Sequence, residues 1–105
     1  MPRLAGPVAT LVGAANAGDG EAFLAAFAAD AVVEDRGREF RGRAAIRAWS
    51  DLVFVGARVH LRIREVGPCG TTFTARLSTL REATNVEIHV HLTGEHVVRL
   101  HVAAV

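Results

Sequence analysis

Two adjacent carboxylates, Glu34 and Asp35, end the short apolar segment DAVVED. Successive side chains of a strand point to opposite faces, so one of the two faces the interior and the other faces out. A carboxylate in an apolar pocket is suited to abstracting a proton next to a carbonyl group. The same carboxylate can instead pair with Arg36, Arg38 or Arg41 at the strand end. For Asp35, both interpretations stay open at this point.

A second group of candidate side chains lies in HVHLTGEH, where His89, His91 and Glu95 have the spacing HxHxxxE. This spacing resembles half of a cupin metal motif, and two histidines at i and i+2 of a strand can bind one metal ion. However, the glycines that flank that motif are missing. The histidines also alternate with apolar residues, which places them on the outer face of a sheet. We therefore expect no metal site and no cofactor.

Composition excludes several classes of protein. The chain has 105 residues, half of them hydrophobic, which fits one domain over residues 1–105. The net charge is +1, and no aromatic residue interleaves the basic positions, so we expect no nucleic-acid partner. No apolar run reaches the length of a membrane span. The single cysteine, Cys69, cannot form an internal disulfide, and we expect a cytoplasmic protein.

The N-terminal half has the period of helices. Gly18 follows the first periodic run as a stop signal, and Asp19 is placed to cap a second helix. A third helix is predicted over 44–53, after the strand DAVVED and a short paired strand around Phe40. The apolar positions that define the three helices are Val8, Leu11, Val12 and Ala15; then Phe23, Ala26 and Phe27; then Ile46, Trp49 and Val53.

The C-terminal half alternates apolar and polar residues, which is typical of half-buried strands. Four such runs occur, and short turns join them. Their apolar sets are Ala57, Val59, Leu61 and Ile63; Phe73, Ala75 and Leu77; Val86, Ile88, Val90 and Leu92; and Val98, Leu100 and Val102. The sequence therefore predicts an α+β fold, in which helices pack on one face of a curved antiparallel sheet.

Three segments in this order, AGD, FAADAVVED and RGRAAIRAW, resemble the SnoaL-like and ketosteroid-isomerase-like branch of the nuclear transport factor 2 superfamily. The resemblance covers essentially the whole chain. It implies a cone-shaped sheet with the three N-terminal-half helices on its concave face, enclosing an apolar pocket. The isomerases of this branch use an Asp at the end of the first strand as general base, and that position matches Asp35.

The resemblance also implies which residues contact a ligand. We expect an apolar small molecule to lie against Trp49 and a set of aliphatic and phenyl side chains, with the Trp49 indole N–H offered to Asp35. Core packing is the competing interpretation for the phenylalanines. The expected ligand-binding residues are Leu11, Phe27, Val33, Trp49, Phe54, Leu61, Phe73, Val90 and Leu100.

The chain departs from the isomerase pattern in the groups that stabilise an enolate oxygen. It contains no Tyr, and VEIHVHL has no Asp where those enzymes carry a second acid. The functions left open are a proton-transfer isomerase, cyclase or lyase, a non-catalytic binder of an apolar ligand, and a dimerisation domain. Family members commonly pair through the sheet, so a homodimer is expected through the outer face. The residues predicted for that face are Arg58, His60, Arg62, Arg76, His89, His91, Arg99 and His101.

Overall fold

The computed structural model describes residues 2–105 and has the predicted α+β architecture. The helices lie in the N-terminal half, and four consecutive strands make up most of the C-terminal half. The helices are α1 (Gly6–Asn16), α2 (Gly20–Ala25) and α3 (Arg43–Val53). The strands are β1 (Phe27–Asp35), β2 (Arg38–Arg41), β3 (His60–Val66), β4 (Thr72–Ser78), β5 (Ala83–Thr93) and β6 (His96–Ala104).

The six strands form one open, curved sheet in the order β2-β1-β6-β5-β4-β3. Neighbours pair antiparallel, with one exception among the described residues: β1 runs parallel to β6. This pairing places the ends of β1 and β6 together, with Asp35 opposite Val102. The last residue of the first strand therefore lies beside the last strand of the chain.

Local signals in the sequence set the first two helices. The C-terminal stop at Gly18 is confirmed, because that residue has a φ of 71°, which glycine adopts without steric cost. Asp19 caps α2 by accepting a hydrogen bond from the Ala22 N–H at 3.0 Å. The helix α2 is short, however, and ends at Ala25. The prediction of Phe27 on this helix is wrong, because Phe27 begins β1.

Two predictions of strand position also need correction. Ala57 lies in a 3₁₀ turn over Val55–Ala57, which joins α3 to β3, and is not part of the strand. In β6 the inward residue near the hairpin is Val97, fully buried, while Val98 is only half-buried. The cause is a shift in register: Leu92 pairs with Val97 and His91 pairs with Arg99, so Val98 is an extra residue in β6. One extra residue reverses the faces that follow.

The core lies between the helices and one face of the sheet. Alternate residues of β4, β5 and β6 are buried, as the period of two predicts. From the helices, Val8, Leu11, Phe23, Ile46 and Trp49 are buried against that face. The opposite face carries charged and polar side chains.

Asn16, the last residue of α1, supports the outermost strand β3. Its side-chain oxygen accepts a hydrogen bond from the Leu61 N–H at 2.7 Å, and its amide nitrogen donates to the Leu61 carbonyl oxygen at 3.0 Å. The amide therefore occupies both backbone groups of Leu61, as a neighbouring strand would. This contact fixes α1 across the sheet edge.

We expect Asn16→Ala to lower the free energy of unfolding by about 1–2 kcal/mol, since two hydrogen bonds to strand backbone are lost. Chemical denaturation measures the change. The other asparagine of the chain, Asn85, gives a matched control because its side chain makes one long contact, at 3.4 Å to Arg76. Equal losses for Asn16→Ala and Asn85→Ala would contradict the role of Asn16.

Candidate active site

Asp35 faces the helices. Its side chain is 11% exposed, and it lies on the same face of β1 as the buried residues Ala31 and Val33. The Trp49 indole nitrogen of α3 donates a hydrogen bond to Asp35 Oδ2 at 3.1 Å. The hydrogen bond that the sequence suggested between these residues is therefore present. It joins the end of the first strand to the middle of the third helix.

Asp35 also pairs with its neighbour Arg36, whose Nε donates to Oδ1 at 2.8 Å. The same guanidinium forks onto Glu82, in the turn before β5, at 2.8 and 3.0 Å. Hydrogen bonds to Glu82 and then to Asp35 raise the pKa of Arg36 above its ordinary value. Arg36 has a φ of 48°, an uncommon conformation for a residue with a side chain, in the two-residue turn with Gly37. The two carboxylates hold Arg36 in that conformation.

The two interpretations of Asp35 thus describe one arrangement, in which the carboxylate faces inward and is also paired with an arginine. Each oxygen already accepts a hydrogen bond, Oδ2 from Trp49 and Oδ1 from Arg36. A substrate proton would share a carboxylate oxygen with one of these donors, because each oxygen has two lone pairs. Trp49 is also committed to Asp35, so it can serve an enolate oxygen only after that bond breaks.

Aromatic side chains fill the space behind Asp35. Trp49 stacks on Phe54 with ring centroids 4.7 Å apart, and Phe23 lies 5.3 Å from both Phe54 and Phe27. The ring centroid of Phe40, in β2, lies 6.1 Å from that of Trp49. Five of the six aromatic residues of the chain therefore form one cluster. Such offset and edge contacts are favourable beyond simple burial.

The interior of the cone is almost completely filled. Its cavity has a volume of about 10 Å³, which corresponds to roughly one water molecule. Five of the residues expected to contact a ligand line this cavity: Leu11, Phe54, Leu61, Phe73 and Leu100. Phe27, Val33 and Val90 are buried in the surrounding core and are not among its lining residues. The remaining lining residues are Val12, Ala15, Phe23 and Ile88, so every wall is apolar.

A larger apolar space lies beside Trp49, in a groove between α3 and β2 with a volume of about 250 Å³. Leu52, at 63% exposure, lies at its rim. The sequence analysis missed this groove. Its signal was a second apolar stripe on α3, spaced three and four residues apart. The lining residues are Arg38, Phe40, Ala45, Ala48, Trp49, Leu52 and Val53.

Glu34, the carboxylate next to Asp35 in β1, lies on the outer face. It accepts a hydrogen bond from Arg99 at 2.9 Å, and His101 Nε2 lies 3.8 Å from its other oxygen. On this face His89 and His101 are cross-strand partners with ring centroids 6.0 Å apart. Glu34 is therefore ion-paired, and the predicted outer-face positions on the strands are polar and accessible. Arg58 is an exception, because it precedes β3 in a left-handed conformation.

Within residues 2–105, no cluster of three or more His, Cys, Asp or Glu side chains is placed to hold a metal ion. Cys69 is exposed in the turn between β3 and β4. None of the helices in the described part of the chain is long and apolar enough to cross a bilayer. Each candidate group thus has a defined position. The inward carboxylate Asp35 with its hydrogen-bond donor Trp49 is the arrangement that could take part in a reaction.

The family comparison covers almost the whole chain. The sequence profile of the SnoaL-like domain matches residues 8–104. The chain belongs to the SnoaL-like domain family. No curated protein matches this sequence.

Solved structures share the fold of this SnoaL-like domain. A Sinorhizobium meliloti protein provisionally assigned as a polyketide cyclase is 24% identical with a TM-score of 0.82, and the match covers 94% of each chain. A Mycobacterium tuberculosis protein in complex with estradiol-17beta-hemisuccinate is 15% identical with a TM-score of 0.79, covering 91% of this chain and 88% of that one. A Kribbella flavida protein provisionally assigned as a ketosteroid isomerase is 16% identical with a TM-score of 0.77. The match covers 94% of this chain and 75% of that one.

The bond between Trp49 and Asp35 can be tested by a double-mutant cycle with Trp49→Phe and Asp35→Ala. We expect a coupling free energy of about 0.5–1.5 kcal/mol, because either substitution alone removes the hydrogen bond. Denaturation of the wild type, the two single variants and the double variant supplies the four free energies of unfolding. Strictly additive effects would show that the contact contributes nothing to stability.

Proposed function

We propose that this SnoaL-like domain binds an apolar small molecule against Trp49, in the groove between α3 and β2. The observation that carries the proposal is the groove itself: about 250 Å³ of space with mostly apolar walls, beside a tryptophan that is bonded to an inward carboxylate. Ligand pockets are typically of about 300–1,000 Å³, so this groove suits a small molecule or one end of a larger one.

The filled interior supports the groove over the cone as the first contact site. A cavity of about 10 Å³ admits no organic molecule unless the helices move away from the sheet. The groove needs no such movement, and Phe40 and Trp49 offer aromatic surfaces to a ligand. Arg38, whose guanidinium lies 5.6 Å from the Phe40 ring centroid, adds a positive charge at the groove. The favoured ligand is therefore apolar with a carbonyl or carboxylate group at one end.

Trp49 is the only tryptophan of the chain, so its fluorescence reports binding in the groove directly. We expect a steroid or a small aromatic ketone to change the emission in a saturable way. Ala48→Phe fills the groove and should weaken binding by at least about tenfold, or about 1.4 kcal/mol. Ala9→Phe on the exposed side of α1 is the control and should leave binding unchanged. Identical affinities for the two variants would contradict the proposed site.

A second candidate function is proton-transfer catalysis by Asp35, as in an isomerase, cyclase or lyase. Its support is the inward orientation of the carboxylate at the end of β1, the position where the resemblance to the isomerases implies a general base. A ligand that draws the Trp49 N–H away from Asp35 would free Oδ2 to accept a proton. The same movement would offer the indole N–H to the developing oxyanion.

For this second function we expect Asp35→Asn to reduce turnover of a bound carbonyl substrate by about 10²–10⁴-fold, because the base is lost while shape is kept. Ligand affinity, measured by Trp49 fluorescence, should change little. Wild-type turnover in Asp35→Asn would rule out the catalytic role and leave the binding function standing. Asp30→Asn, an exposed carboxylate of the same strand, is the matched control.

We also propose that the domain pairs with a second copy through the outer face of β1, β6 and β5. The support is the set of polar side chains on this face, where Glu34 accepts a hydrogen bond from Arg99 and lies 3.8 Å from His101 Nε2, and all three residues are half-exposed. A two-fold axis brings such a patch against itself, so each charge can meet its complement.

Sedimentation at neutral pH should show a dimer of this domain. His91→Glu, at an exposed position of the same face opposite Arg99, should shift the equilibrium towards monomer because it alters the charges that a second copy must match. Glu95→Gln in the hairpin turn, which also changes the charge by one, serves as the control. A wild-type monomer at all concentrations would refute the interface.

A further inference from the structure

A depression of about 500 Å³ on the outer face of β3 and β4 is lined by Arg62, Ile63, Arg64 and Arg76. All three arginines are exposed. Arg62 and Arg76 are direct cross-strand partners, so two permanent positive charges lie opposite each other. The depression is separate from the groove at Trp49 and lies towards the sheet edge, away from the outer-face row of Glu34, His101 and His89.

The third arginine, Arg64, lies at a bulge in β3. Ile63 pairs with Ala75 and Glu65 pairs with Thr74, so Arg64 is an extra residue with no partner in β4. Alternation places Arg64 two residues from Arg62 and therefore on the same side of the strand. Because the bulge leaves no residue of β4 opposite it, Arg64 lines the depression together with Arg62 and Arg76.

In the described part of the chain, no carboxylate oxygen lies within ion-pair distance of these three arginines. Within residues 2–105, the arginines that form ion pairs are Arg36, Arg41, Arg47 and Arg99. Arg76 makes one long contact, from its guanidinium to the Asn85 side-chain oxygen at 3.4 Å. Like charges directly opposite each other destabilise a pair of strands. The fold therefore carries an unfavourable interaction that a bound anion would remove.

We propose that this depression is a binding site for a phosphate group carried by a small molecule or present as the free ion. Guanidinium forks match the oxygens of phosphate. Three positive charges also suit a phosphate dianion better than a ligand with one carboxylate, which carries a single negative charge. A tetrahedral phosphate directs its oxygens to several sides. It can therefore accept hydrogen bonds at the same time from arginines of β3 and from Arg76 of β4. The walls contain no aromatic side chain on which a nucleobase could stack, so the site recognises the phosphate itself.

The test is a titration of the ¹⁵N-labelled full chain with inorganic phosphate, pyrophosphate and glycerol phosphate at constant ionic strength in chloride. Saturable shifts at β3 and β4 are expected below about 10 mM. Arg62→Gln, Arg64→Gln and Arg76→Gln should each weaken binding by at least about tenfold, and their spectra verify folding. Arg81→Gln removes the same charge from an exposed loop outside the depression and should weaken it less than twofold.

Three results would overturn the proposal. Shifts that never saturate would show general screening of charge. Equal weakening by Arg76→Gln and Arg81→Gln would show that net charge matters and the depression does not. A third result is that the arginine variants change the dimer equilibrium in sedimentation while phosphate affinity stays constant, which would assign the arginines to contacts between copies of the chain. Stronger binding of glycerol phosphate than of the free ion identifies a phosphorylated small molecule as the ligand, and the reverse order identifies the free ion.

Discussion

The contact between Trp49 and Asp35 connects the candidate site to the packing of the helices. Through it, α3 is fixed over the end of β1, and the indole packs with both Phe54 and Phe40. The same ring belongs to the buried core and lines the open groove. A ligand that moves this ring changes the packing of the core and the hydrogen bonding of the carboxylate at the same time.

The strand geometry of β1 gives its two adjacent carboxylates different surroundings. Asp35 lies against the helices with a tryptophan and an arginine, whereas Glu34 lies on the outer face with Arg99 and His101. Alternation alone separates them, since neighbouring side chains of a strand face opposite ways. One short segment thereby contributes both to a candidate site and to a candidate interface.

Patterns that act over a few residues were readable in the sequence. The stop at Gly18 and the cap at Asp19 depend on local conformation, and the two faces of the long strands depend on a period of two. The sequence left the direction of Asp35 open, because a pocket and an arginine at the strand end both suit a carboxylate. The parallel pairing of β1 with β6 and the shifts of register in β3 and β6 depend on how distant strands meet. The fullness of the cone depends on the sum of many side-chain volumes, to which no single residue is a guide. The groove at Trp49 and the arginine depression likewise depend on how distant segments of the chain meet.

The contact of Asn16 with Leu61 has a consequence for the behaviour of the protein in a crowded cell. An outermost strand with free backbone groups is a template for other chains, and alternating apolar strands are prone to fibril formation. In β3 the Leu61 groups are already occupied, and the bulge and charge at Arg64 interrupt the strand further along. The same few residues that position the first helix thus help to keep the sheet from growing beyond its sixth strand.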